Sequence, residues 1–269
     1  MTNDRNIQVG ELRPSQMMYA FGVGAIVDLP HISVIVMGLD DWRPDPGVAH
    51  AIHEDRLLRA VRWALGSQVQ GMLTPPATPE TIGFPNPFDE TQRVGVPVAT
   101  FPRWMVCPQC RLLASLASGL FELRDNAFHP DRTHYVHINC PKSIKPPTVV
   151  PARFMVACDD GHLDDFPWTE FVHGGPTQCP AKLQLVEYGP SGETRDVRVR
   201  CEVCERQRPL SDAFGKPGKL SMPRCRGRRP HLFGRSGGDT HARSDRSTER
   251  SARLRAGGGD CRVGERTGR

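Results

Sequence analysis

Long apolar runs are missing from this 269-residue chain, and no stretch approaches the roughly 20 residues that a membrane helix needs. The start, MTNDRNIQVGELRPSQ, has no basic segment leading into an apolar one, so a secretory leader is not expected and a cytoplasmic location is. Aromatic residues make up only 7%, while 26 glycines and 25 prolines punctuate the chain, which argues against long helical bundles and for short elements joined by turns. There is no G-x-x-x-x-G-K-[ST] loop to cradle phosphates, so the chain is not expected to be an ATPase. Net charge is scarce as well. The last 35 residues hold nine arginines against five acids, which leaves the preceding 234 at +1 of the total +5. A body so close to neutral gives no charge-based case for strong DNA binding on its own.

The 38% of hydrophobic residues is enough for an ordinary core. Arg13 to Gln16 reads as a turn into a short helix. FGVGAIVDLP and HISVIVMGL read as two strands, broken at Leu29-Pro30-His31, with Val34, Ile35 and Val36 suited to burial on both faces. Gly22 and Gly24 make a G-x-G without the third glycine or the following helix, so a tight turn is expected there instead of a dinucleotide site. Leu57, Leu58, Val61 and Leu65 fall at helical spacing in Ile52 to Leu65, with Gly66 as the stop and Arg56, Arg59 and Arg62 on a solvated face. Seven prolines between 74 and 102 predict an extended connection, the natural boundary between an N-terminal unit and a cysteine-bearing one. The last 35 residues have no aromatic and no lysine and cannot bury enough surface to order themselves; disorder is expected. Their composition fits a genuine arginine-rich tail and equally an out-of-frame translation of GC-rich DNA.

Nine cysteines in a reducing compartment point away from a disulfide framework, and their spacing points to metal. Cys107-Pro-Gln-Cys110 and Cys201-Glu-Val-Cys204 are both C-x-x-C, whose two-residue spacer lets both thiolates reach one zinc from a single turn. Cys140, Cys158, Cys179 and Cys225 complete eight candidate ligands, and Cys261 falls in the tail. Sequence order predicts two structural zinc sites, one from Cys107, Cys110, Cys140 and Cys158, the other from Cys179, Cys201, Cys204 and Cys225. Cys140-Pro-Lys-Ser143 looks like a C-x-x-C whose second thiol has become a hydroxyl, a poor zinc ligand, so a fourth donor must come from elsewhere: Cys158 or His162. His129, His134 and His137 read as loop histidines.

MVACDDGHLDDFPW, residues 155–168, concentrates Cys158, His162 and four aspartates. A hydrolytic metal site needs carboxylates and histidines around an open position, whereas thiolate ligands favour closed structural zinc. Asp159-Asp160-Gly161 reads as a turn with glycine at positive φ, and DDFPWTEFVHGG as a helix start capped by Asp164 or Asp165, with Pro167 in the first turn and Gly174 past the end. No residue is assigned a catalytic role.

RPSQMMYAFGVGAIVDLP, FPRWMVCPQC, ARFMVACDDGHLDDFPW, the CEVC pair, DAFG and CRGRRPHL occur in this order between about residues 10 and 232. Together they resemble the DrmB family of the DISARM anti-phage system. That resemblance implies a non-catalytic subunit that partners an SF2 helicase, DrmA, and meets DNA through the complex. Family members continue well past the CRGRRPHL region, so the chain resembles the N-terminal portion of a truncated or frameshifted copy, one that this change could leave inactive.

The reading is an α+β chain with three parts. A mixed α/β unit occupies 1–102, a zinc-ribbon-like Cys-rich region 103–232 and a disordered Arg/Gly-rich tail 233–269. Its expected role is that of a zinc-binding scaffold beside a DrmA-type helicase, without an enzymatic reaction of its own. Two other roles suit the same residues, an autonomous zinc-dependent nucleic-acid-binding module and a metal-dependent nuclease using His162 and the aspartates.

Overall fold

The computed structural model describes residues 13–42, 51–75, 95–188, 194–215, 218, 222–232 and 263–265. The architecture is α+β, combining short helices with antiparallel sheets. Among the described residues no helix is long and apolar enough to cross a membrane.

The N-terminal unit starts with helix α1 (Pro14–Tyr19), where the Arg13 amide donates to the Gln16 side chain, 2.9 Å away. Strands β1 (Ile26–Asp28) and β2 (Ser33–Val36) are the two that the sequence predicts, and they pair antiparallel as a hairpin. All four residues of β2 are buried, because β2 is the middle strand of its sheet; β3 (Val98–Thr100), at the far end of the proline-rich connection, pairs on its other side. Residues 76–94 of that connection lie outside those described. Ile35, Met37 and Phe101 form a small core that also touches Met155 and Leu163, so this sheet rests directly on the Cys-rich region.

Helix α2 (Asp55–Leu65) begins where Glu54 accepts from the Arg56 amide and ends at Gly66. None of its residues is fully buried; Leu58 and Val61 are half-buried and Trp63 is exposed. Arg62 turns back on the chain and donates to the Val69 and Gln70 carbonyls at 2.7 and 2.8 Å, closing the loop after the helix.

The Cys-rich region is built on a six-stranded antiparallel sheet. Strands β4 (Trp104–Val106) and β5 (Leu112–Ser115) form one hairpin, and β12 (Val197–Cys201) and β13 (Gln207–Pro209) another. β11 (Leu183–Glu187) joins them by pairing with both β5 and β12, and β8 (Val150–Pro151) edges β4. β12 alternates buried and exposed residues, the signature of one face on a core. A separate hairpin pairs β6 (Phe121–Arg124) with β7 (His134–His137), and another pairs β9 (Phe154–Ala157) with β10 (Leu163–Asp165).

Helix α3 (Trp168–His173) departs from the sequence expectation at its start. Asp164 and Asp165 do not cap it; they lie in β10 and Pro167 is the cap residue. Strand pairing overrides the local preference, because Asp164 and Asp165 face Val156 and Met155 across the hairpin while Phe166, Trp168 and Phe171 are driven inward. Those aromatics are at most 1% exposed, with the Phe166 and Trp168 rings 4.5 Å apart and Phe166 and Phe171 5.1 Å apart. They centre the largest apolar cluster, which also holds Phe154, Leu183, Val197 and Val199. The end of α3 is as predicted, with Gly174 in left-handed backbone.

Of the arginine-rich tail, Val263–Glu265 (β14) pair with β9, and the rest lies outside the described residues, Cys261 included.

Candidate metal centres

The cysteines gather at the ends of hairpins. In both C-x-x-C turns the first cysteine leaves a strand and its amide donates across the turn, Cys107 to the Leu112 carbonyl at 2.9 Å and Cys201 to the Arg206 carbonyl at 2.8 Å. The residue after the second cysteine is left-handed in each, Arg111 at φ 64° and Glu205 at φ 60°. The two turns are thus copies of one local structure, carried by β4–β5 and β12–β13.

Around each turn a foursome assembles. Cys107 and Cys110 meet His137, at the end of β7, and Cys140, three residues further on. The Cys107 and Cys140 sulfurs lie 3.9 Å apart and Cys110 Sγ is 3.4 Å from His137 Nδ1. Cys201 and Cys204 meet His173, the last residue of α3, and Cys179. Here the Cys179 and Cys201 sulfurs are 3.8 Å apart and Cys204 Sγ is 3.3 Å from His173 Nε2. The hairpin β9–β10 brings together a trio: Cys158 and His162 close its turn, and Cys225 approaches from the segment 222–232. Cys158 Sγ is 3.6 Å from Cys225 Sγ and 3.3 Å from His162 Nδ1, and Cys225 Sγ is 3.6 Å from the same nitrogen. The turn that sets this spacing is the expected one, with Gly161 at φ 75° and its amide bonded to the Cys158 carbonyl at 3.0 Å.

These separations are compatible with a bound metal ion. A zinc ion bonded to sulfur at about 2.3 Å and to nitrogen at about 2.05 Å in a tetrahedron holds sulfurs about 3.8 Å apart and sulfur from nitrogen about 3.6 Å. A disulfide would need roughly 2.05 Å between sulfurs, and the eight described cysteines are free thiols. The donors in each group lie within 4.8 Å of one another, so each group could hold a metal ion.

The electrostatics fit a cation. Burial, followed by the neighbouring Cys107 and Cys140 thiols, pushes Cys110 up to about 12. Burial also opposes ionisation of Cys140, but N–H groups of Lys142 and Ser143 and the adjacent thiols outweigh it and hold the group low. The second foursome repeats the pattern. Burial and the thiols of Cys201 and Cys204 raise Cys179 to about 11, while at Cys201 the amides of Cys204 and Val203 overcome burial and leave it at about 6. Within each foursome the thiols oppose one another's ionisation, and gathering negative charge at such distances requires a cation. Burial, then Lys182, lowers the His137 imidazole. His173 donates from Nδ1 to the Thr169 carbonyl at 2.7 Å, which orients the ring so that Nε2 faces the cysteines.

The grouping differs from the one expected by sequence order. Cys158 does not complete the first set, nor Cys225 the second; they belong together with His162 in a third group. His137 fills the place that Ser143 left open, while the Ser143 hydroxyl donates to the Lys145 carbonyl. His137 is a buried strand residue, not a loop histidine, and forms an H-x-x-C with Cys140, the same two-residue spacer as C-x-x-C. That spacing was a usable signal. His173 had none, because its partners are brought to it only by packing of α3 against β12 and β13.

Asp164 and Asp165 are in none of the metal groups. Asp164 accepts from Arg226 Nε at 2.7 Å, with Arg228 at 3.7 Å, and Asp165 accepts from the Arg103 amide at 2.7 Å. They tie β10 to the segment 222–232 and to the entry of β4.

A family described as a domain of unknown function (DUF8724) matches residues 13–254, nearly the whole chain and all three donor groups. The chain belongs to that family. It is also related to the "DISARM protein DrmB" of Bacillus paralicheniformis, with 33% identity over 144 residues, which is 52% of this chain and 24% of that protein. The match therefore spans about a quarter of the relative's length.

Proposed function

We propose that this chain is a metal-stapled scaffold subunit of a DISARM-type defence complex, binding zinc in its two Cys3His foursomes and catalysing no reaction itself. The observation that carries the metal reading is the recurrence of tetrahedral-edge separations at both C-x-x-C turns, 3.9 and 3.4 Å in one and 3.8 and 3.3 Å in the other. Kinship to a DISARM protein DrmB carries the assignment to the defence system. The scaffold role is supported by what the carboxylates do: Asp164 and Asp165 are engaged in bonds to arginine and to backbone, so neither is a free base. In the cytoplasm its partner would be a DrmA-type SF2 helicase, with DNA contacted through the complex, because the body of the chain carries little net charge of its own.

Two measurements test this. Metal analysis of the purified chain should find zinc, and co-expression with a DrmA-type helicase should co-purify the two. Zinc-free folded protein, or retardation of DNA at physiological salt by the chain alone, would count against the scaffold role.

A further inference from the structure

The trio of Cys158, His162 and Cys225 differs from the foursomes in number and exposure. Among the described residues no fourth cysteine, histidine, aspartate or glutamate joins it, and all three members are half-buried, whereas the first foursome is wholly buried. Its internal distances of 3.6, 3.3 and 3.6 Å are still those of three corners of one tetrahedron. The Gly227 amide donates to Cys225 Sγ at 3.4 Å and holds that sulfur in place on its turn. Beside the trio is a cleft lined by His162, Cys225, Asp164, Arg224, Arg226 and Arg228.

We propose that this trio is an open metal site: it holds a divalent cation through three protein ligands and keeps the fourth position, on the cleft side, for water or a small anion. The proposal extends the zinc reading of the foursomes and shares its premise that thiols at this spacing hold metal. Charge separates the two kinds of site. Three thiolates around a divalent ion leave a net negative centre that repels anions; two thiolates and a neutral imidazole leave none. The cleft adds three arginines against Asp164 and Asp165, so its rim does not oppose an anion either. Three protein ligands and one vacant corner is the arrangement by which a bound metal accepts a ligand from solution. Asp164 is held by Arg226 and Asp165 by the Arg103 amide, so both carboxylates lining the cleft are engaged, which suits ligand binding over hydrolysis.

The test replaces zinc with cobalt(II) in the full chain and reads metal count and visible spectrum while azide, then inorganic phosphate, is added. Three cobalt ions per chain are expected, with the d–d bands shifted by azide, phosphate or both. Cys225→Ala and His162→Ala should each bind two and lose the shift. The anion response is read on the unaltered chain, so it stands even if a variant fails to fold. Three bound ions with no response to either anion would show a fourth protein donor, for which Cys261 is the remaining thiol, and would overturn the open site. Two bound ions, unchanged by Cys225→Ala, would show that the trio holds none; this also overturns it but leaves the foursomes intact. Fewer than two would sink the foursomes and the trio together.

Discussion

Arg111 and Glu205 occupy the same place in two different hairpins: each follows the second cysteine of a C-x-x-C, and each is held in left-handed backbone, at φ 64° and φ 60°. For a residue with a Cβ that conformation costs roughly 1–2 kcal/mol, and in both turns it lets the chain fold back so that the first cysteine's amide meets the carbonyl five residues on. The two differ in what their side chains do. Arg111 donates from Nε to the Leu185 carbonyl at 2.7 Å and pairs with Glu187 at 3.1 Å, whereas Glu205 is exposed. Glu205→Gly should therefore stabilise the metal-loaded chain by about 0.5–1 kcal/mol after the entropy of glycine is set against the relieved strain. Arg111→Gly should not stabilise, since it removes two contacts. Denaturant midpoints of the two variants decide the matter, and a loss at Glu205→Gly would refute it.

The histidines give a second prediction. His137→Ala should remove one metal ion from the chain, as should His173→Ala, and each should destabilise by several kcal/mol, because a structural metal contributes folding energy directly. His134→Ala is the control. That ring sits beside the Arg132 carbonyl, 2.6 Å from Nδ1, and belongs to no donor group. Metal content and melting temperature of the three variants check it; equal metal in His134→Ala and His137→Ala would show that His137 is no ligand.

How much of the fold and its candidate metal centres was legible in the sequence depends on how local each feature is. The C-x-x-C turns, the buried run Val34-Ile35-Val36, the stop at Gly66 and the Asp159-Asp160-Gly161 turn are set by neighbours in the chain and were readable. The partition of ligands was not, since three of the six strands of the main sheet lie between Cys158 and Cys225 in the chain, and the two meet only when segment 222–232 returns to the β9–β10 hairpin. Dividing eight thiols into two sets of four admits histidine only through His162, whereas the structure brings His137 and His173 to the two foursomes. The Asp164-Asp165 pair failed for a related reason. Aspartate before a helix is a good cap, but here Val156 and Met155 claim the pair as strand partners.

Asp165 carries a pH dependence. Burial, opposed in part by the Arg103 amide and reinforced by Asp164, raises its carboxyl from 3.8 to about 6. The folded chain then binds this proton more tightly than the unfolded one, so stability is highest below the unfolded value and falls as pH rises through about 6, where the penalty is complete. Two pKa units amount to on the order of 3 kcal/mol. Asp165→Asn keeps an oxygen for the Arg103 amide and removes the charge. It should raise stability at neutral pH and flatten the difference between variant and wild type above pH 6. Comparing denaturation of the two proteins across that range checks this, and their difference cancels the acid sensitivity of the thiolates common to both. A variant less stable than wild type at neutral pH would mean that the ionised carboxylate is needed there.

The last prediction concerns how the segment ending at Leu232 returns to the first sheet. The Gly38 amide donates to the His231 carbonyl at 2.6 Å, and a Cβ on Gly38 would meet that oxygen and Leu232 Cδ2, each at 3.0 Å. Gly24 faces the same histidine: its φ is 82° and a Cβ there would come within 3.3 Å of His231 Nδ1. The G-x-G of the sequence is thus neither a nucleotide loop nor only a turn, because Gly24 makes room for His231. Gly66 has φ 93° and ψ 172° with open space around it, so Gly66→Ala should show backbone strain alone, roughly 1–3 kcal/mol. Gly24→Ala should cost more than that, since strain and displacement of His231 add. Gly38→Ala, with ordinary backbone, should act through displacement alone and expose its amide. Hydrogen exchange at Gly38 should then speed up in Gly38→Ala and stay slow in Gly66→Ala. Equal costs for Gly24→Ala and Gly66→Ala would show that His231 yields freely and that this contact does not hold the C-terminal segment against the sheet.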